Sequence, residues 1–514
     1  ENEKKFAPYH LYIINKETEW GKKAIRLEPY YLKEKKLFGF LIDYKFLKNP
    51  DVPFNKRIQQ LSFSLDENYK SNTNYHIDKY RYLSEFIKIY PEIFSINNEF
   101  QISKEFQNIE YRSLKLRKYI FGRNNEDNSQ FQGINNYGPY EWEDKSINYV
   151  YIFHKNDKDY VNNFIKALNG EKFRTFTGLN KIGLPLQNTN NTRGIPINSF
   201  EENLESIINN NIDKNSVIIA VFPSKEEKFY FTLKSICLER DIPLQTVHLE
   251  TIVDENKLKW SVSSIALQIL AKLGGIPWIV RTVNQDSLII GIGQSIERYK
   301  DKTIRFFAYS VLLDSSGRFL TIEPLADATD KKQYLEILGS KVSELIQQYQ
   351  KYSKIVFHVP EKISKKTIKK IENALKLVNS NTELYIVRVN DDSKFFGYDL
   401  NNNSLIPFES SYIQLSSREY LLWTEGLNYH NPTPRKKYSN PIYIDFYYSN
   451  QGKIDYEKLL QDILNLSGTN YRGFNAKSLP VSMFYPKLIS QFYKYFNKYN
   501  ISSNIEKRNR MWFL

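Results

Sequence analysis

Four side chains in three neighbouring segments have the chemistry to hold an anion. Tyr230 and Lys234 are four residues apart, so on a helix they share one face. Gln245 lies in the apolar segment that follows, and Lys272 comes one residue before a Leu-Gly-Gly sequence that would end a second helix. A phenol, an amide and two ammonium groups suit a phosphate. Taken alone, a Tyr-x-x-x-Lys pair more often marks a solvated helix face.

The order of these segments resembles a known protein family. After Lys234 comes Gln245, then AKLGG at 271–275, then the strand-like SLIIGIGQS at 287–295. This pattern resembles the MID–PIWI core of Argonaute proteins, and the resemblance covers residues 148–514. It implies that the tyrosine, the glutamine and the two lysines hold the 5′ phosphate of a short guide strand.

The resemblance also implies a Mg²⁺ ion at the guide phosphate. Gln245 offers a neutral oxygen that suits a hard cation. In several prokaryotic members the C-terminal carboxylate completes this site, and here it would belong to Leu514. The tail before it carries Trp512 and Phe513, whose burial is favoured over the alternative of a frayed terminus. Gln268 stands where some relatives carry a further lysine, so a less positive pocket is expected.

The elements that position these residues alternate between strand and helix. Apolar runs at 148–153, 216–222 and 242–252 predict strands, and helix-like segments between them predict a parallel sheet with helices on both faces. The expected fold class is α/β. A Rossmann-like MID domain at 148–260 and a ribonuclease-H-like PIWI domain at 261–514 follow a mixed α+β N-terminal or linker region at 1–147.

Local patterns refine this division. The helix with the anion-binding pair is expected to begin near Ser224, and another helix near Ser199, where Glu202 completes a capping box. In the rest of the N-terminal half, the sequence predicts strands at 37–46 and 58–66 and a helix at 75–94. It predicts loops at 116–142 and 188–197.

The PIWI-like part lacks the carboxylates that the family uses for cleavage. Ribonuclease-H-like nucleases hold two metal ions with such a cluster. The family's ligand positions align with Gly293, Pro360 and Lys487, and Glu323 lies near the remaining one. Glycine and proline have no side-chain ligand and lysine would repel a cation, so the chain is expected not to cut its target. His358 is the nearest candidate catalyst, but a structural hydrogen bond at a strand end explains it better.

Composition indicates the class of partner. Lys and Arg number 72 against 58 Asp and Glu, which gives +14 and predicts a polyanionic partner, nucleic acid before an anionic membrane. A coding bias toward Lys and Asn explains part of this excess. Arg435, Lys436 and Lys437 lie in a predicted loop that either contacts a nucleic-acid backbone or is simply solvated.

Other features indicate the compartment. Cys237 is the single cysteine, which excludes an internal disulfide and favours a reducing, cytoplasmic setting. No uninterrupted apolar run of about 18 residues predicts a membrane helix. The start ENEKKF lacks the apolar region of a signal peptide.

The expected function is guide-directed recognition without cleavage. The guide is expected to be RNA rather than DNA, and the complementary target DNA. With about 147 residues before the MID domain, the chain resembles short prokaryotic Argonautes, in which a partner carries an APAZ region fused to a TIR, sirtuin-like or nuclease effector for plasmid and phage defence. Residues 1–147 would suit docking of that partner or form a self-contained linker domain. Two alternatives remain: an active endonuclease with ligands elsewhere, and a basic nucleic-acid binder that needs no guide.

Overall fold

The computed structural model describes most of the chain. The described residues are 10–63, 75–94, 103, 105–143, 145–213, 215–284, 286–299, 302–328, 331–349, 351–378, 381–391, 393–429, 440–475, 477–499 and 510–514. They belong to two compact units, of which the first combines 1–116 with 390–446 and the second combines 117–389 with 447–514. The predicted domain boundaries follow chain order and stay predictions.

Strands and helices alternate over much of the described chain. The strands are β1 (Leu11–Thr18), β2 (Gly21–Leu32), β3 (Leu37–Lys48), β4 (Arg112–Ser113), β5 (Tyr119–Ile120), β6 (Glu126–Asp127), β7 (Asn148–His154), β8 (Thr192–Ile197), β9 (Ser216–Phe222), β10 (Leu244–His248), β11 (Ile279–Val280), β12 (Ser287–Tyr299), β13 (Lys302–Asp314), β14 (Phe319–Ala328), β15 (Lys354–Val359), β16 (Glu383–Asn390), β17 (Ser411–Gln414), β18 (Glu419–Leu422) and β19 (Ile442–Ser449). The helices are α1 (Lys56–Phe63), α2 (Tyr75–Ile89), α3 (Gln130–Tyr137), α4 (Lys158–Leu168), α5 (Leu204–Asn211), α6 (Glu227–Glu239), α7 (Leu249–Val253), α8 (Glu255–Lys272), α9 (Lys331–Gln348), α10 (Lys365–Val378), α11 (Tyr456–Leu466) and α12 (Val481–Lys498). In the described part of the chain, none of these helices is long and apolar enough to cross a membrane.

The first unit contains an antiparallel sheet of β1, β2 and β3, with α1 and α2 against β3. The predicted strand at 37–46 is confirmed as β3. The predicted strand at 58–66 is wrong, since α1 covers its described part. The buried residues Ile58 and Leu61 are three apart, which is helical spacing, and the Asn55 side chain accepts a hydrogen bond from the Ile58 amide at 3.0 Å.

Helix α2 confirms the helix predicted at 75–94 and buries much of its apolar stripe. Leu83, Phe86 and Ile87 are buried against the sheet. Lys79, which the apolar pattern did not indicate, is also buried, and its ammonium pairs with the Asp43 carboxylate. A buried charge requires such a partner, so this ion pair belongs to the core of the first unit.

The amino-terminal part of the second unit is a parallel sheet in the order β10-β9-β7-β8, as predicted from the strand–helix alternation. The loop predicted at 188–197 is partly wrong, because β8 pairs with β7. Of the β8 side chains only Ile195 and Ile197 are buried, so this edge strand lacks a strong apolar signal. The predicted strand at 242–252 is shorter than expected and gives way to α7 after His248.

Two further expectations about helices are corrected. Helix α5 begins at Leu204 and not near Ser199, because the Asn203 side chain accepts a hydrogen bond from the Ser206 amide at 3.1 Å. Glu202 still accepts a hydrogen bond from the Ser199 amide at 3.2 Å, but in the turn before the helix. The loop predicted at 116–142 contains α3, which ends at Gly138 with φ of 73°.

The rest of the second unit has the expected ribonuclease-H-like order. β14, β13 and β12 are antiparallel neighbours, and β12, β15 and β16 are parallel neighbours. Helices α9 and α10 contribute to the core that covers this sheet, and α12 contacts β12. The predicted α/β fold class is confirmed.

Candidate functional site

Helix α6 places the first two predicted residues. It begins at Glu227, three residues later than the expected start at Ser224. Tyr230 therefore lies in the first helical turn, with Lys234 one turn further on the same face. The Ser224 amide and hydroxyl instead donate hydrogen bonds to the Glu250 carboxylate, at 3.1 and 3.0 Å, and so form the turn that precedes the helix.

Strand β10 and helix α8 bring the other two residues into direct contact. The Lys272 Nζ donates a hydrogen bond to the Gln245 Oε1 at 2.8 Å, and each residue is 3% exposed. The amide nitrogen of Gln245 donates to the Thr246 carbonyl at 3.0 Å and to the Gln268 Oε1 at 3.4 Å. Burial lowers the pKa of Lys272 well below its usual value, and the charge of Lys234 acts in the same direction.

Lys234 is held by the tail of the chain. Its ammonium donates a hydrogen bond to the main-chain carbonyl of Trp512. The same ammonium lies 5.4 Å from the ring centroid of Trp512 and 5.7 Å from that of Phe492, so two aromatic rings flank it. Lys234 is 3% exposed, and burial lowers its pKa to about 8.

Tyr230 lies at the half-buried edge of the same group. Its hydroxyl shares a hydrogen bond with the Thr246 side chain, and its ring stacks on Phe222 with 5.9 Å between centroids. Burial raises the pKa of Tyr230, and the positive charge of Arg472 opposes this rise. The phenol is therefore a neutral hydrogen-bonding group.

Arg472 is a nearby cation that the sequence reasoning missed. Its guanidinium acts electrostatically on both Tyr230 and Lys272, and its main-chain carbonyl accepts a hydrogen bond from Gln268 at 3.2 Å. Arg472 is exposed in the segment between α11 and α12. A basic residue in a polar segment two hundred positions away gives no spacing signal, so only the folded chain reveals it.

The tail is buried, as the apolar sequence predicts. Met511, Trp512, Phe513 and Leu514 are each less than 9% exposed. The Phe513 ring centroid lies 4.9 Å from that of Tyr485, and the Trp512 ring centroid lies 5.3 Å from that of Phe492. The role of Leu514 and Gln245 as metal ligands stays a prediction.

The position of the first expected nuclease ligand lies under a helix. A Cβ atom on Gly293 would lie 2.5 Å from the Pro486 Cβ and 2.6 Å from its carbonyl oxygen. A Cβ atom on Gly291 would overlap the Ser482 carbonyl. Helix α12 therefore packs directly on the backbone of β12, and this approach requires glycine at both positions.

The other residues at or near the expected nuclease positions form hydrogen bonds with neighbouring residues or lie exposed on the surface. His358 is buried, its Nδ1 lies 2.7 Å from the Ser482 hydroxyl, and burial lowers its pKa to about 3. This contact is the structural hydrogen bond expected for it. The Glu323 Oε1 accepts a hydrogen bond from the Tyr349 hydroxyl at 3.5 Å, and Lys487 is exposed on α12. The Pro360 carbonyl accepts a hydrogen bond from the Arg388 Nε at 3.3 Å.

Two further expectations concern metal ligands and contacts to the nucleic-acid backbone. In the part of the chain that the structure describes, no group of three His, Cys, Asp or Glu side chains is arranged to hold a metal ion. The predicted backbone contacts Arg435, Lys436 and Lys437 lie outside the described residues.

Comparison with known proteins finds the same family in sequence and structure. Residues 217–498 match the Piwi domain family. A protein of Archaeoglobus fulgidus named Piwi protein is 25% identical over 410 residues, which cover 74% of this chain and 93% of that protein.

Two solved structures share the fold. Clostridium butyricum Argonaute, solved with a guide DNA and a 19-mer target DNA, has a TM-score of 0.68 at 18% identity and matches 96% of this chain. Aquifex aeolicus Argonaute has a TM-score of 0.64 at 16% identity and matches 98% of this chain. The matched parts span 66% of the first of those chains and 82% of the second. The Piwi match covers more than half of the 514 residues, and the chain belongs to the Piwi-domain family of prokaryotic Argonaute proteins.

Proposed function

We propose that this protein binds the 5′-phosphorylated end of a short guide in the pocket formed by Tyr230, Lys234, Gln245 and Lys272. Two buried ammonium groups carry this proposal. Among the described residues, no carboxylate lies within ion-pair distance of Lys234 or Lys272. A buried cation without a counter-ion is costly, and a phosphate supplies the missing negative charge.

The remaining groups of the pocket suit the same ligand. The Tyr230 hydroxyl can donate to a phosphate oxygen, and the guanidinium of Arg472 adds a third positive charge nearby. Binding the phosphate would raise the lowered pKa values of both lysines, because an opposite charge stabilises the ammonium form.

We propose that a Mg²⁺ ion binds at one side of this pocket. The Gln245 Oε1 accepts one hydrogen bond from Lys272, and an amide oxygen has two acceptor sites, so one remains for a cation. We infer that Mg²⁺ held there, with the Leu514 carboxylate as a second ligand, would neutralise part of the phosphate charge. The residues of this chain would orient the phosphate and keep water from the lysines.

The bound guide would pair with a complementary strand. The similar Argonaute of Clostridium butyricum was solved with a guide and a target, which supports this use of the shared fold. We propose RNA as the guide and DNA as the target. Base pairing then supplies the sequence specificity, while the protein contacts the backbone.

Recognition would proceed without cleavage. The close packing of Gly293 against Pro486 supports this, because an aspartate there would need space that α12 occupies. The exposed side chain of Lys487 adds a positive charge near the last expected ligand position. A carboxylate cluster that binds two metal ions needs negatively charged side chains and open space at these positions.

An effector on a partner protein would then act in defence against plasmids or phages in the cytoplasm. The first unit exposes large apolar side chains on and beside its three-stranded sheet, with Leu11 59%, Phe38 57% and Phe54 68% exposed. Exposed apolar side chains of this size favour protein contacts. We propose an APAZ-containing effector of the TIR, sirtuin-like or nuclease type as the partner.

A binding assay tests the guide pocket. Full-length protein is titrated against a single-stranded 18-mer RNA that carries either a 5′ phosphate or a 5′ hydroxyl, with and without Mg²⁺. The wild-type protein should prefer the phosphate, and Lys272→Met should remove most of that preference, by about tenfold or more, since it deletes a buried charged partner. Lys257→Met, on an exposed part of the same helix, is the matched control.

The outcomes separate the proposals. Equal binding of both RNA ends by the wild-type protein would indicate a basic nucleic-acid binder that needs no guide. A guide-directed cut in a complementary DNA or RNA strand, with Mg²⁺ or Mn²⁺ present, would overturn the proposal of recognition without cleavage.

A further inference from the structure

We propose that the exposed face of α10 is a second nucleic-acid site, which binds the phosphate backbone of a duplex independently of its 5′ end. The helix carries five lysines and one glutamate between Lys365 and Val378. None of these lysines belongs to the pocket described above, and the proposal does not depend on the guide phosphate.

The lysines of α10 are collected on one side of the helix. Lys365, Lys369 and Lys376 are exposed, and at about 100° per residue they lie within about 40° of one another around the helix axis. Lys366 is exposed at the edge of the same face. The three aligned ammonium groups start from positions spread over about 16 Å of the helix axis, at 1.5 Å per residue.

The opposite side of α10 fixes the orientation of this face. Thr367, Ile371 and Leu375 are buried, and the two apolar residues belong to the core of the second unit. The helix begins after Ser364, whose hydroxyl accepts a hydrogen bond from the Thr367 amide at 3.2 Å. Since these contacts fix the rotation of the helix, the lysine row must point to solvent.

Little negative charge compensates this row. Among the described residues, Lys365, Lys369 and Lys376 form no ion pair, and only Lys366 approaches a carboxylate, that of Glu336 at 3.6 Å. The single glutamate of the helix, Glu372, lies three residues after Lys369 and four before Lys376, so its carboxylate borders the row. It accepts a hydrogen bond from the Tyr448 hydroxyl and, among the described residues, forms no ion pair with these lysines. Elsewhere in the chain a glutamate neutralises a lysine three residues before it, as in the ion pair of Lys341 with Glu344.

The geometry fits a duplex backbone. Duplex DNA carries one negative charge per about 1.7 Å of its axis, so the length of the lysine row faces several phosphates at once. Lysine is a point-charge donor that contacts phosphate without reading the bases. This row should therefore add affinity for a duplex of any sequence, which would help to hold the target after it has paired.

The test uses the full chain and a triple variant. Lys365→Gln, Lys369→Gln and Lys376→Gln together remove three charges while keeping good helix formers in α10. The matched control makes the same change at three other exposed lysines, Lys155 in the turn before α4 and Lys158 and Lys166 on α4. The probe is a fluorescent 30-base-pair DNA with 5′-hydroxyl ends, titrated at several salt concentrations.

The expected result is a loss of about tenfold in duplex affinity at 0.1 M salt for the α10 variant, with a change of roughly two to three in the slope of log affinity against log salt. The control variant should change both quantities much less. The wild-type protein and the α10 variant should prefer a 5′-phosphorylated 18-mer RNA over the 5′-hydroxyl RNA to the same extent. This result would distinguish the α10 site from the guide pocket.

Equal losses in the two triple variants would mean that only the net charge matters, and the proposal would be wrong. Unchanged affinity and slope in the α10 variant would also overturn it and would leave the row to an acidic protein partner. Circular dichroism and the thermal midpoint of each variant confirm that loss of binding does not reflect loss of folding.

Discussion

The ammonium of Lys234 donates a hydrogen bond to the main-chain carbonyl of Trp512, 278 residues later in the chain. The same lysine lies one turn after Tyr230 on α6 and acts electrostatically on Lys272. One side chain thus links the candidate phosphate pocket to the buried tail. A phosphate that approaches Lys234 would share this ammonium with the Trp512 carbonyl, and a lysine with three N–H donors can serve both.

The affinity for a 5′-phosphorylated guide should fall as the pH rises above 8. Burial lowers the pKa of Lys234 from its usual value near 10.5 to about 8, so the free protein loses this charge above that pH. Phosphate binding needs the ammonium form and therefore takes up a proton above this pH. The affinity should then fall by up to about tenfold for each unit by which the pH rises. The phosphate itself is fully charged above about pH 7, so it does not contribute to the change.

Titrations of an 18-mer RNA at pH 7, 8 and 9 measure this dependence. The Lys234→Met variant should bind more weakly at pH 7 and show a shallower fall in affinity above pH 8, because only Lys272, whose pKa burial also lowers, then takes up a proton on binding. A 5′-hydroxyl RNA should show little of it. If Lys234→Met keeps the full pH dependence, another group is responsible.

The substitution Gly293→Asp should destabilise the second unit without creating a nuclease. The new Cβ would lie within 2.6 Å of Pro486 and force α12 away from β12. Such overpacking costs about 1 to 3 kcal/mol. The urea midpoint of unfolding and a guided cleavage assay measure the two parts of this prediction.

Gly452→Asp is the control for that substitution, because a Cβ at Gly452 meets no atom within 4 Å. It should leave the urea midpoint nearly unchanged. A wild-type midpoint for Gly293→Asp would contradict the close contact between β12 and α12.

Removal of the Trp512 ring should both destabilise the protein and weaken guide binding. Trp512 is 8% exposed and flanks Lys234, so Trp512→Ala leaves a cavity and removes one wall around the ammonium. Substitutions of this kind cost about 3 to 5 kcal/mol. The unfolding midpoint and the affinity for the 5′-phosphorylated RNA should both decrease.

Trp260→Ala provides the matched comparison. Trp260 is 66% exposed on α8, so loss of its ring should change stability by no more than about 0.5 kcal/mol. Equal destabilisation by the two tryptophan substitutions is the result that would disprove the buried tail.

The regular elements could be predicted wherever the sequence pattern is local. The apolar runs of β7 and β9 predicted strands of the parallel sheet, and the apolar run of β12 lies in the segment whose resemblance to the Argonaute family implied a ribonuclease-H-like domain. Prediction from sequence failed where the apolar pattern is weak and tertiary contacts stabilise the element. Edge strand β8 is stabilised by its pairing with β7. In helix α1 the buried apolar residues Ile58 and Leu61 are separated by glutamines.

By itself, the sequence determined which side chains were available. The spacing of Tyr230 and Lys234 placed them on one helix face, and the residues Gly293 and Pro360 excluded side-chain ligands at two expected positions, because residue identity is local information. The tertiary structure decided which groups meet. The contacts of Lys272 with Gln245, of Lys234 with Trp512 and of Gly293 with Pro486 join segments far apart in the chain, and only the packing of α8, α12 and the tail against the sheets brings them together.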